Sequence, residues 1–138
     1  MSFRERLAWI SLVCLVLTFG VFFLAMGHGF IPTHSLVTLQ WFAACVAAFA
    51  VLRVALHVIA VVAAPSDARA PFDERERLIS LKATRNANIA LMAGVLIIPG
   101  SLHVGAHAAT MGYLAMLALV VAEGVRDVSR ITYSRAAQ

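Results

Sequence analysis

Four of the five histidines fall in two short turn-like stretches. His28 and His34 lie in Gly27-His28-Gly29-Phe30-Ile31-Pro32-Thr33-His34, and His103 and His107 in Ser101-Leu102-His103-Val104-Gly105-Ala106-His107. Neutral imidazole is the commonest nitrogen ligand for Zn²⁺ or Cu²⁺, and His103 with His107, four residues apart, would present two rings to one ion if that turn is helical. No Asp, Glu or Cys accompanies them in either stretch. A half-apolar imidazole is also at home at a membrane surface. That plainer reading outweighs a Zn or Cu site, and pH sensing is a third.

A second group is ionisable and sits inside apolar sequence. Arg53 and His57 are four residues apart on one face of a long apolar run, and Glu123 lies near the end of another. Counted from the histidine turns, Arg53 is about 19 residues away and Glu123 about 16, so at about 1.5 Å per residue their depths differ by about 4–5 Å, within reach of their side chains. Ionisable groups inside a membrane tend to face the bundle interior and pair, and they mark candidate proton or substrate paths. The plainer alternative is an ion pair that only holds helices together, or an arginine lifting its guanidinium to the headgroups. Arg85, Asn86 and Asn88 could hydrogen-bond neighbouring helices in the same way.

Templates for catalysis fail. The chain has no HExxH, no CxxC, no paired carboxylates within an apolar run and no glycine-rich phosphate loop. A haem held in a helical bundle would want two histidines inside facing spans, and only His57 is so placed. Cys14 and Cys45 both lie within apolar runs and read as small buried hydrophobes.

The elements that must carry these groups follow from hydropathy. Of 138 residues, 62% are hydrophobic and 13% charged, with a mean hydropathy of +0.88; ordinary soluble domains are about 45–50% apolar and about 25% charged. The apolar residues come in long runs, as bilayer-crossing helices require. The expected fold is therefore all-α: one membrane-embedded four-helix bundle with spans at about 7–26, 36–62, 86–99 and 106–124 and a polar loop at 64–85. The first run exceeds the about 7–15 residues of a secretory signal core, so it reads as a retained span. Ala43/Ala47, Ala44/Ala48, Ala90/Gly94 and Ala108/Gly112 have the small-xxx-small spacing that lets helices approach closely. The two hairpins resemble each other faintly, each turn holding Gly, two His and a neighbouring Pro, which leaves a parallel repeat open.

Basic residues orient the chain. Arg4, Arg6, Arg69, Arg75, Arg77, Lys82, Arg85, Arg126, Arg130 and Arg135 flank one side of the spans, Arg53 lies within a span, and neither histidine turn holds a Lys or Arg. The positive-inside rule then puts both termini and the central loop of a multi-pass chain on the cytoplasmic side of the membrane. The net charge of +4 is used in that orientation, and nucleic-acid binding is not expected.

The central loop holds most of the charge. In Asp73-Glu74-Arg75-Glu76-Arg77-Leu78-Ile79-Ser80-Leu81-Lys82-Ala83-Thr84-Arg85, Asp73 can cap a helix that is acidic in its first turn and basic later, as the helix dipole favours. A short amphipathic cytoplasmic helix is expected there, running into the third span. This segment resembles the DER-x-x-x-I-x-x-K-A-x-R signature of small uncharacterised prokaryotic four-helix membrane proteins, grouped as a domain of unknown function. The resemblance covers the loop and the helical layout; it implies a place in a prokaryotic inner membrane and no catalytic residues.

The expected function is non-enzymatic. With no cofactor required, the chain would be an accessory or regulatory subunit that sits in the lipid bilayer and binds a protein partner or a second copy through Asp73, Glu74, Arg75, Arg77, Lys82 and Arg85. The alternatives are a small transporter or ion pathway using Arg53, His57 and Glu123, and an extracytoplasmic metal-binding protein using His28, His34, His103 and His107.

Overall fold

A computed structural model describes residues 3–31, 36–63, 65, 74–103, 105 and 107–136. His34 and Asp73 lie outside the described residues, and with them the proposed cap of the loop helix. The described elements are four helices: α1 (Phe3–Gly27), α2 (Leu36–Ala63), α3 (Glu74–His103) and α4 (Ala108–Ala136). Three are long and apolar enough to cross a membrane, over Glu5–Gly27, Leu36–Ala63 and Glu74–Ser101. These mark the chain as a helical membrane protein. The fourth, α4, is not among those three: its first half is apolar, but its second half carries Glu123, Arg126, Asp127, Arg130 and Arg135.

Local sequence explains where the helices start and stop. At the end of α1 the Phe30 N–H donates to the Ala25 carbonyl at 3.0 Å and the Gly29 N–H to that of Met26 at 3.1 Å, with Gly29 at φ 77°. This is a Schellman cap, and its left-handed residue is best supplied by glycine. Past α3 the chain turns at Gly105, with φ 80°. That turn separates His103 from His107, so the two do not share a helical face as a continuous helix would require.

The charged segment and the third apolar run form one helix. Glu74 to Arg85 are the opening turns of α3, and the helix passes through Pro99 to end at His103. Pro99 cannot donate a backbone hydrogen bond; just beyond it, the Ser101 hydroxyl donates to the Ile98 carbonyl at 2.6 Å.

Packing is uneven. α3 lies along α4 over much of its length, whereas α1 touches both α2 and α4, and no comparable packing joins α2 to α3 among the described residues. The order is thus α2, α1, α4, α3, open between its ends. The tightest approach is at Gly94, where a Cβ would stand 2.5 Å from the Ala118 Cβ, so the Ala90/Gly94 spacing does bring backbones together. Gly112, by contrast, faces open space, and Ala43, Ala44, Ala47 and Ala48 are exposed. The apolar core lies between α1 and α2, where Phe19 sits 5.7 Å from Phe42 and 5.8 Å from Phe49, centroid to centroid, beside Cys14, Leu15 and Phe22. Both cysteines are free thiols.

Candidate functional site

The second half of α4 gathers the other three helices. Glu123, Asp127, Arg130 and Ser134 follow one another at helical intervals and so share a face. Towards α1, the Ser11 hydroxyl donates to Asp127 Oδ2 at 2.6 Å, and Arg135 Nε donates to Glu5 Oε1 at 3.1 Å with its guanidinium 5.5 Å from the Trp9 ring centre. Towards α2, Arg53 Nη1 donates to Glu123 Oε2 at 3.4 Å. Towards α3, Asn86 Nδ2 reaches Ser129 Oγ at 3.2 Å and Tyr133 Oη at 3.0 Å, and Arg130 Nη2 reaches Ser80 Oγ at 3.4 Å.

Asp127 is the innermost of these groups, with 0% of its surface exposed. Its Oδ1 has no hydrogen-bond partner among the described residues, but Arg53 and Arg126 lie within electrostatic reach. Glu123 is shared: Arg126 Nη2 donates to the same Oε2 that Arg53 approaches. Across the belt Arg53, Arg126 and Arg130 stand against Glu123 and Asp127, a formal excess of one positive charge. Polar groups held in low dielectric are strongly coupled, and each is costly to leave without a partner.

An open cleft lies against this belt. It measures about 330 Å³ and is walled by all four helices, with Phe19 and Phe42 in its apolar part, Thr84, Asn88, Glu123 and Arg126 in its polar part, and Phe49 between them beside the Arg53 guanidinium. Its side opening follows from the fold, because α2 and α3 do not close on each other along their length. The polar end faces the end of the bundle where α1 and α3 begin and α2 and α4 finish, since the bonds from α4 run to Glu5, Ser11, Arg53 and Ser80.

The sequence-predicted groups divide accordingly. Arg53 and Glu123 are brought together. His57, one turn beyond Arg53, is exposed and stands outside the belt. On α3, Glu74, Arg75, Arg77, Lys82 and Arg85 are all exposed, while Ala83 and Ala87 on the same helix are buried. His28, His103 and His107 are exposed, and ring nitrogens of the first two engage their own helix: His28 Nδ1 lies 2.9 Å from the Leu24 carbonyl and His103 Nδ1 3.4 Å from that of Pro99. Among the described residues no three His, Cys, Asp or Glu side chains are grouped as metal ligands.

Compared with protein-family models, curated proteins and solved structures, the chain matches none.

Sequence reasoning missed Asp127, Ser11, Glu5, Arg126 and Arg130 as one assembly, treating the α4 residues only as charges leaving the membrane. The available signal was their spacing. Acidic and basic residues recurring every three to four positions from Glu123 to Arg130 are what a helix needs to turn one polar face inward.

Proposed function

We propose that the chain is a non-enzymatic subunit of a prokaryotic inner membrane, with both termini inside the cell, and that it docks a protein partner through the opening turns of α3. The observation that carries this reading is a contrast between two charged helical segments. On α4, Arg135, Glu123 and Arg130 are engaged in bonds to α1, α2 and α3. On α3, Glu74, Arg75, Lys82 and Arg85 face outward beside Leu78 and Leu81, which are 53% and 59% exposed.

Positions 74, 75, 78, 81, 82 and 85 share one helical face, so basic and apolar groups interleave on a single strip. Such a strip offers apolar anchors flanked by charges that select a partner of complementary sign. The bonds from Ser80 and Asn86 to α4 hold the opposite face against the bundle, which presents the strip on a rigid support. The partner surface of matching chemistry is acidic with apolar pockets.

Affinity purification in mild detergent with mass spectrometry tests the reading. A reproducible partner is expected with the wild-type chain, and the combined change Arg75→Glu, Lys82→Glu and Arg85→Glu is expected to cut its recovery by at least about tenfold, the effect of losing about 1.4 kcal/mol. Unchanged recovery, with the variant still helical and monodisperse, would exclude this face as the docking surface.

A further inference from the structure

We infer that the cleft between α2 and α3 is a binding site for one anionic phospholipid, its alkyl chain lying along the aromatic end and its phosphate at Arg126. Three observations converge on this occupant.

The first is where the cleft opens. Its side walls are α2 and α3, two helices long and apolar enough to cross a membrane, and these two stand at the ends of the packing order without substantial packing on each other. A molecule already dissolved in the bilayer therefore reaches the cleft sideways, without crossing the bundle.

The second is polarity along the cleft. Phe19, Phe42 and Val46 line its apolar part and Thr84, Asn88, Glu123 and Arg126 its polar part, with Phe49 between them, its ring centre 5.8 Å from the Arg53 guanidinium. From Phe42 to Phe49 the wall of α2 rises about 10 Å, at about 1.5 Å per residue, so a length of alkyl chain lies along it with the headgroup at Arg126. The charge at the polar end also suits an anion. Arg53, Arg126 and Arg130 stand against Glu123 and Asp127, a formal excess of one positive charge, and the Arg126 guanidinium that lines the cleft carries five N–H donors, of which the pair with Glu123 uses few. Arginine is well matched to phosphate in geometry as well as charge.

The third is size. The cleft holds about 330 Å³, at the lower end of the about 300–1,000 Å³ typical of small-molecule sites. A cleft of that scale suits a single small amphiphile.

The test is a titration of the full-length protein in mild detergent with palmitoyl-oleoyl phosphatidylglycerol or with the phosphatidylcholine of the same chains, followed by native mass spectrometry of the lipid-bound fraction. The phosphatidylglycerol is expected to bind about tenfold more tightly, the scale of one charge-assisted contact. Arg126→Gln is expected to remove that preference. Val46→Trp, at an exposed position on the cleft wall, is expected to weaken both lipids, and it keeps the test decisive if the arginine variant does not fold. Equal affinity for the two lipids, or binding unaffected by Val46→Trp, overturns the proposal. So does displacement of the lipid by millimolar inorganic phosphate, which would make this a free-anion site. A lipid-free dimer disrupted by Val46→Trp also overturns it, since the cleft would then belong to a second copy.

Discussion

At the residue scale, Asp127 is the side chain on which most depends. It is fully enclosed, accepts one short hydrogen bond from Ser11 and stands near two guanidiniums. Removing a donor from a buried acceptor costs more than the net worth of the bond, because the acceptor keeps its desolvation penalty. Ser11→Ala is therefore expected to destabilise the protein by about 1–3 kcal/mol, read as a lowered unfolding midpoint in detergent. Arg53 and Glu123 should respond unequally for a related reason. Arg53→Ala leaves Arg126 on the carboxylate, whereas Glu123→Ala strands two guanidiniums. Glu123→Ala is expected to be the more destabilising, and a double-mutant cycle should return a coupling of about 0.5–3 kcal/mol between the two positions. Strict additivity would mean that the observed contact contributes nothing.

At the element scale, α3 and α4 form the firmest pair and α4 supplies the polar contacts that hold the others. Their closest approach depends on Gly94, since an added methyl would meet the Ala118 Cβ at 2.5 Å, and neither atom belongs to a flexible chain end. Helix association in a membrane rests on van der Waals packing of this kind, because lipid tails are as apolar as the side chains they replace. Gly94→Ala is expected to cost about 1–3 kcal/mol. Gly112→Ala, where nothing lies within 4 Å, is expected to cost nothing measurable and serves as its control in the same unfolding assay. α1 also divides its face by chemistry. Glu5 and Ser11 meet the polar half of α4, while Leu15, Phe19 and Phe22 enter the apolar core.

At the scale of the whole molecule, two helical hairpins meet along α1 and α4 and leave α2 and α3 apart. That openness produces the cleft, and the inward turn of α4 gives the cleft its charged end. The all-helical, membrane-embedded character was legible in the sequence, because long apolar runs have few alternatives in which every backbone group finds a partner. The similar depth of Arg53 and Glu123 was legible too, since rise per residue converts sequence distance into height. The end of the third apolar run was not legible, because Pro99 reads as a stop while the helix in fact passes through it to His103. What sequence could not decide was which way each helix faces. A helix that is apolar nearly all round, such as α1, has no stripe to reveal its buried side. The pairing of Ser11 with Asp127, 116 positions apart, and the gap between α2 and α3 therefore come from tertiary packing alone: they depend on rotation about the helix axes, which hydropathy does not encode.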